Sequence, residues 1–250
     1  DYGYKAYLVD DTPSIGGLMA RLDKTFPTND CSICIEAPLM YEVNTHDNIQ
    51  IVANADVRKV DPVNGHFKVR VLKRAIFVDE EKCTACGKCV EACPVTIPDE
   101  LDARIGGTRK LISVAFPQAV PNINYLNVLC RTGKMRDKGA CVGACVVDCS
   151  QCRECGVALC VKACRDEGKS AVLLWQKDQW LNLTVKSIIV ATGVKTAPLP
   201  VGTWGLDVYP NVIDYMNFER TMNSGGPTLG EIVRPSDGQH AHNIAWIQCA

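Results

Sequence analysis

The sequence predicts an α/β fold interrupted by a cysteine-rich module, and three observations carry that expectation. Short apolar, β-prone runs bounded by Asp, Asn, Gly and Pro lie on both sides of residues 79–170. Within 79–170 they give way to clustered cysteines with Pro and Gly between them. The strand-like pattern then resumes, as one domain carrying an insert would read. A chain of 250 residues is long enough for one large domain or two modest ones.

Residues 5–9 form a β-prone run that ends on Asp10-Asp11, and they read as a buried strand. Residues 12–17 follow as a loop. Runs 49–53 and 56–60 read as strands. Run 67–72 alternates and should be a hairpin arm, with Asn64-Gly65 as its turn. After the cysteine-rich block, 171–175 and 185–190 resume the strands, the second ending on Ala191-Thr192-Gly193. Residues 208–238 read as loop and short helix, and 243–248 as the first strand of another α/β unit. The chain opens abruptly and stops directly after a strand-like run, so a fragment lacking both ends is expected. The expected divisions are 1–78, 79–170, 171–240 and 241–250.

The formal net charge of −1 gives no electrostatic ground for a nucleic acid or an anionic membrane as partner. No apolar run approaches the ~18 residues of a membrane span, and nothing at the start reads as a signal peptide. Fifteen cysteines are many for this length, and most lie between 83 and 164. Disulfide frameworks suit small secreted domains. Structural zinc normally takes two separated C-x2-C pairs, often with His. The run Cys83-Thr-Ala-Cys86-Gly-Lys-Cys89-Val-Glu-Ala-Cys93-Pro94 fits neither. It is the C-x2-C-x2-C-x3-C-P spacing of a cubane iron–sulfur site, whose fourth Cys serves the other cluster in two-cluster ferredoxins. The insert therefore reads as a ferredoxin-like module in a reducing, cytoplasmic setting, and the chain as one that moves electrons.

For the first cluster the expected ligands are Cys83, Cys86 and Cys89, with Cys164 crossing over. Cys93 then serves the second. The second set is irregular: Cys160-Val-Lys-Ala-Cys164 keeps the closing C-x3-C, but Arg165 stands where Pro is expected. Cys152, Cys155 and Cys160 with Cys93 is the preferred set, and Cys149, Cys152 and Cys160 is the alternative. Cys130, Cys141, Cys145 and Cys149 remain for a third cluster or metal site; on a helix Cys141, Cys145 and Cys149, at i, i+4, i+8, would instead share a face that packs as small apolar side chains.

The α/β part carries weaker signals for a dinucleotide. Asp10 or Asp11 ends a strand where a carboxylate accepts from ribose hydroxyls in such folds, although many strands end on a solvated Asp. Gly16 and Gly17 would let backbone approach a pyrophosphate or flavin closely, and Val57 is a further candidate contact. Ala191-Thr192-Gly193 resembles the turn that closes FAD domains of the thioredoxin-reductase type. The G-x-G-x-x-G phosphate loop is missing and is expected upstream of residue 1, with Gly3-Tyr-Lys as the tail of its helix.

The stretch Gly16-Gly-Leu-Met-Ala-Arg-Leu-Asp-Lys-Thr-Phe-Pro-Thr-Asn-Asp-Cys-Ser-Ile-Cys-Ile35 strongly resembles the flavoprotein A-subunit of heterodisulfide reductases. So do Phe116-Pro-Gln-Ala-Val-Pro121, Ser224-Gly-Gly-Pro227, Arg234-Pro-Ser-Asp-Gly238 and Ile247-Gln-Cys249. The resemblance covers essentially the whole chain and extends to the A-subunit of the quinone-interacting membrane-bound oxidoreductase. It implies a thioredoxin-reductase-like, three-layer FAD domain with a parallel sheet and an inserted two-cluster ferredoxin module. It also implies an electron hub in a multi-subunit enzyme of anaerobic metabolism, in which FAD splits or merges electron pairs. Donors of the ferredoxin, hydrogenase or formate dehydrogenase type follow from the same resemblance. In the matching motif, Lys24 would sit near the flavin N5 and stabilise negative charge on reduced flavin. Cys31 and Cys34 would be a redox dithiol, two ligands of a cluster completed from elsewhere, or buried structural thiols. A ferredoxin-like relay with a vestigial FAD fold and a structural zinc protein are the readings of other classes.

Overall fold

The computed structural model describes residues 3–99, 101–126, 153–154, 157–194 and 199–247. Cys130, Cys141, Cys145, Cys149, Cys152 and Cys155 lie outside them. In chain order the elements are β1 (Ala6–Val9), β2 (Lys24–Thr25), β3 (Asp30–Cys31), α1 (Ser32–Thr45), β4 (Ile49–Val52), β5 (Ala55–Val63), β6 (His66–Lys73), α2 (Lys88–Glu91), β7 (Thr96–Pro98), β8 (Thr108–Lys110), β9 (Ile112–Ser113), β10 (Tyr125–Leu126), β11 (Arg153–Glu154), β12 (Val157–Ala158), α3 (Leu159–Asp166), β13 (Gln179–Val185) and α4 (Tyr215–Met222). They fall into two compact units. The first is drawn from residues 1–17, 37–97 and 110–192, the second from 18–36, 98–109 and 193–250.

In the first unit β1 and β4 pair in parallel, Ala6 opposite Ile49 through Val9 opposite Val52. Beside them β5, β6 and β13 form an antiparallel sheet in the order β13-β6-β5. Asn64 and Gly65, both at positive φ, make the two-residue turn that sets Val63 opposite His66. Alternation then decides which side chains go inward. Val69 and Val71 of β6 are buried, and Leu181, Leu183 and Val185 of β13 pack with them against Val52 and Ala55. On the other face the Arg70 guanidinium lies 4.1 Å from the centre of the Trp180 ring.

Asn54 joins these two sheets. It is 1% exposed with φ +56, a conformation Asn tolerates better than most residues. Its N–H donates to the Thr12 carbonyl, its Nδ2 to the Arg74 carbonyl, and its own carbonyl accepts from the Arg74 N–H. Arg74 in turn ion-pairs with Asp56 and donates to the Asp11 carbonyl.

A second core in the first unit gathers Ile76, Phe77, Val78, Val95, Ile112, Tyr125, Leu126 and Val172 around Cys89, Cys93, Cys160 and Cys164. This is the cysteine-rich module. Its apolar skin comes from the segments on either side, 75–78 and 171–172, as well as from within.

The second unit is organised by α4. Asp214 caps it, accepting from the Asn217 N–H at 2.9 Å. From α4, Arg220 makes a two-pronged, buried pair with Asp102 (2.7 and 3.2 Å) and also donates to the Gly225 carbonyl. Glu219 accepts from the Asp23 N–H, and Asn223 donates to the Leu22 carbonyl, which fixes the approach to β2.

Several expected elements are corrected. Residues 171–175 form a single bridge, Val172 to Val78, followed by a turn, because their apolar side chains serve the cysteine core. The last strand is 179–185, not 185–190. The period-two pattern Leu181, Leu183, Val185 matches β6, whereas Ile189 and Val190 are exposed and irregular. Residues 3–5 are not helical and 243–247 form no strand. Among the described residues the parallel pairing is two-stranded, and the three-layer arrangement is not seen. Mixed α/β structure with a ferredoxin-type motif is what the chain has.

Candidate functional site

Four cysteines line one cavity: Cys83, Cys86 and Cys89 from a single loop, and Cys164 from α3. The loop turns inward because Ala85 (φ +51) and Gly87 (φ +81) are left-handed, and Gly87 leads into α2. Cys164 arrives through the packing of α3 on α2. Val78, Ala171 and Val172 form the apolar wall, and Thr84 and Lys169 complete the lining. Two sulfurs accept amide hydrogen bonds: Cys164 Sγ from the Ala171 N–H (3.1 Å) and Cys83 Sγ from the Asn124 N–H (3.5 Å). Cys86 is exposed, Cys83 half-buried, Cys89 and Cys164 buried.

Burial, helped by the neighbouring sulfurs of Cys83, Cys164 and Cys86, pushes the Cys89 thiol up to about 12. It ionises here only against a positive counter-charge. The donor set decides which kind. Soft thiols spread round a cavity, with amide N–H groups aimed at the sulfurs, fit a cubane, where each thiolate takes a different iron.

Cys93 and Cys160 are buried in the same core yet line no part of that cavity. Cys93 lies just beyond α2, with its thiol toward the Val95 carbonyl. Their expected companions Cys152 and Cys155 lie outside the described residues.

The candidate flavin residues are scattered. Asp10 ends β1; its Oδ1 is taken by the N–H and hydroxyl of Thr12, and its carbonyl accepts from the Ala55 N–H, two residues before Val57. Val57 is 51% exposed at a bulge in β5. Gly16 and Gly17 both have positive φ, and the space beside Gly17 is open. Ala191 and Thr192 are exposed and irregular, and Gly193 (φ +69) belongs to the second unit.

Lys24, Cys31 and Cys34 also belong to the second unit. Cys31 and Cys34 are joined as a disulfide, Cys31 half-buried and Cys34 exposed, so they are not buried thiols. Cys31 precedes α1, and its Sγ accepts from the Cys34 N–H at 3.3 Å. Exposed Lys24 stands directly opposite Cys31 in the β2–β3 pair. One turn into α1, Glu36 is pushed up to about 7 by burial, with Oε2 unpartnered.

Residues 76–97 match the family described as "4Fe-4S binding domain". Along all 250 residues the chain is 41% identical to the iron–sulfur A-subunit of the CoB–CoM heterodisulfide reductase of Methanocaldococcus jannaschii, covering 34% of it. The figures are the same for the A-subunit of the H2:CoB-CoM heterodisulfide, ferredoxin reductase of Methanothermobacter marburgensis. For the A-subunit of the ferredoxin:CoB-CoM heterodisulfide reductase of Methanosarcina mazei, identity is 36% over 99% of this chain and 28% of the relative. The chain is homologous to the heterodisulfide reductase A-subunits throughout its length. It spans about a third of those relatives.

The segments that carry the resemblance to these reductases have structural duties. Ile15, just before Gly16, bridges to Val120 of the Phe116–Pro121 segment, and buried Ser14 accepts from the Val120 N–H at 2.8 Å. In Ser224-Gly-Gly-Pro227 a Cβ on Gly226 would run into the Arg220 carbonyl. In Arg234-Pro-Ser-Asp-Gly238 the Arg234 guanidinium grips Asp237 with two hydrogen bonds. Residue spacing did not reveal Asn124, Ala171 or Lys169 at the cysteine cavity. Two of these act through backbone N–H groups, which leave no mark on side-chain pattern.

Proposed function

We propose that this chain is the electron-carrying part of a heterodisulfide reductase-type complex, within an FAD- and iron–sulfur-dependent oxidoreductase subunit. The observation that carries the reading is the convergence of Cys83, Cys86, Cys89 and Cys164 on one cavity within a 4Fe-4S-binding sequence. We assign these four to the first cluster and Cys93, Cys152, Cys155 and Cys160 to the second, with Cys130, Cys141, Cys145 and Cys149 available for a third. The module 79–170 is read as an insert in an FAD domain made of 1–78 and 171–240, with 241–250 opening a further nucleotide-type domain. FAD would contact Asp10, Gly16, Gly17, Val57 and 191–193, and Lys24 its reactive edge.

Such a set converts between two-electron chemistry at a flavin and one-electron steps at iron–sulfur centres, including bifurcation. The chain's residues tune that role. The amides of Ala171 and Asn124 stabilise thiolate charge at Cys164 and Cys83, which raises a cluster's potential. The apolar wall of Val78 and Val172 keeps water out on the inner side. Exposed Cys86 marks the edge nearest a partner protein of the complex or a ferredoxin-, hydrogenase- or formate dehydrogenase-type donor. Among the described residues no helix is long and apolar enough to cross a membrane, and a cytoplasmic assembly is the fitting setting.

The test is iron, sulfide, zinc and flavin per chain in complex purified without air, with EPR of the dithionite-reduced sample. About eight irons with one flavin supports two cubanes and the hub. Full iron without flavin points to the relay, and zinc without iron overturns the reading.

A further inference from the structure

We propose that Cys31–Cys34 is a thiol–disulfide exchange site, separate from the cluster cysteines, that trades two electrons with a vicinal dithiol. Attack falls on Cys34, and Cys31 is the leaving thiolate.

Three independent observations assign these roles. Exposure is unequal, since Cys34 is open to solvent and Cys31 half-buried, so an incoming thiolate reaches the Cys34 sulfur first. The leaving position is prepared: Cys31 Sγ stands at the N-terminus of a 14-residue helix and accepts the Cys34 N–H at 3.3 Å. Charge developing on that sulfur meets the Cys34 N–H and the positive end of the helix dipole, which lower thiolate pKa values and speed departure. Across β2–β3, Lys24 sits directly opposite Cys31 and adds positive charge on the same side.

The balance closes without a cofactor. One thiolate of the dithiol bonds to Cys34 Sγ as the Cys31–Cys34 bond breaks, releasing Cys31 as thiolate. The second thiol of the donor then attacks its own sulfur in the mixed disulfide. Cys34 leaves, the donor closes to a disulfide, and Cys31 and Cys34 hold the two electrons and, once protonated, the two protons. Run backwards, Cys31 expels a thiol bound to Cys34. Exposed disulfides exchange in this way, whereas buried structural ones resist.

The chain suits a direct test. Trypsin cutting after Lys24 and Arg58 yields one peptide holding Cys31 and Cys34 and no other cysteine. Full-length complex, purified without air, is equilibrated with graded ratios of reduced to oxidised dithiothreitol. A parallel series uses a reduced dithiol protein, thioredoxin, and both are quenched with a thiol alkylator and read by mass spectrometry. The peptide should pass from unlabelled to doubly labelled in one two-electron step while the fold, iron and flavin stay intact. Faster reduction by thioredoxin at equal ratio identifies a protein donor, and equal rates a small dithiol; either supports the site. A pair that opens only on unfolding overturns the proposal, as does a loss of iron in Cys31→Ser.

Direction is tested by treating reduced protein with an aromatic disulfide. Cys31→Ser should retain the reagent on Cys34, because the resolving thiol is gone, while native sequence ejects it and closes. Stable reagent on the native pair overturns the assignment. The readout is independent of clusters and flavin, so its failure is distinct from failure of the electron-carrier reading.

Discussion

Two C-x2-C pairs in this chain meet opposite fates. Cys83-Thr84-Ala85-Cys86 keeps its thiols apart around a cavity, while Cys31-Ser32-Ile33-Cys34 closes into a disulfide. The spacing is identical, so the backbone makes the difference. At 83–86 the left-handed Ala85, then Gly87, swing the chain around a centre, so each sulfur faces inward from its own direction. At 31–34 the chain passes from β3 straight into α1, which puts the two Cα atoms 5.2 Å apart, inside disulfide range. A cysteine motif therefore encodes chemistry only together with the φ values of its spacer residues.

The widest gap between the pairs is in metal content. Cys164→Ser should remove one whole cubane, about four irons per complex-bound chain, because a cluster missing a buried ligand is not held. Cys34→Ser should leave iron unchanged, and iron analysis beside EPR reads both. If both variants lose iron, the two pairs are one system and the contrast fails.

The spacer residues come next. A β-branched side chain at the positive φ of Ala85 is strained, so Ala85→Val should cost about 2 kcal/mol and lower cluster yield on reconstitution. Ile33→Val, the equivalent spacer position in helical backbone, should cost about 1 kcal/mol or less. Chemical denaturation of each variant compares them. Equal losses would take the backbone out of the explanation.

Acidity separates the two regions more gently. Glu36 has its ordinary 4.5 raised to about 7 by burial, so the folded state favours the protonated carboxyl. Its stabilising contribution is complete below 4.5 and is lost as pH rises through about 7. Glu36→Gln should flatten that dependence and stabilise the protein above neutrality by about 1 kcal/mol, a figure reduced for the solvent that reaches this half-buried group. Denaturant midpoints across the pH range read it, and iron content should not follow.

The smallest effect falls on Lys24. Lys24→Gln should slow opening of the Cys31–Cys34 bond by about threefold, since one exposed charge beside a leaving thiolate is worth under ~1 kcal/mol. The rate of alkylation of the tryptic peptide, which in this variant starts after Arg21 and still holds only Cys31 and Cys34, measures it.

Legibility in the sequence followed the same divide. The first cysteine run was readable because one loop supplies three side chains at fixed spacing, and the return of Cys164 was readable from ferredoxin logic. The Asn64-Gly65 turn and the β5–β6 hairpin were readable from local chemistry. The strand at 185–190 was misread because an unbroken apolar run looked stronger than the alternation Leu181, Leu183, Val185 that β6 selects. Asn54, the Arg220–Asp102 pair and the amides at the cysteine sulfurs were invisible, since each depends on residues far apart in sequence or on backbone atoms.

Cys164 stands 75 residues beyond Cys89, although both face one cavity. Closing a loop of that size is costly once, but doubling it adds only ~0.6 kcal/mol, because the entropy grows with the logarithm of length. The anchorage at Cys164 thus tolerates added length in the surface turns between the two at little thermodynamic penalty, so long as the packed residues Val95, Ile112, Tyr125 and Leu126 keep their places. Evolution can splice new cysteines there, or a new docking surface, while the four sulfurs at the cavity stay where they are.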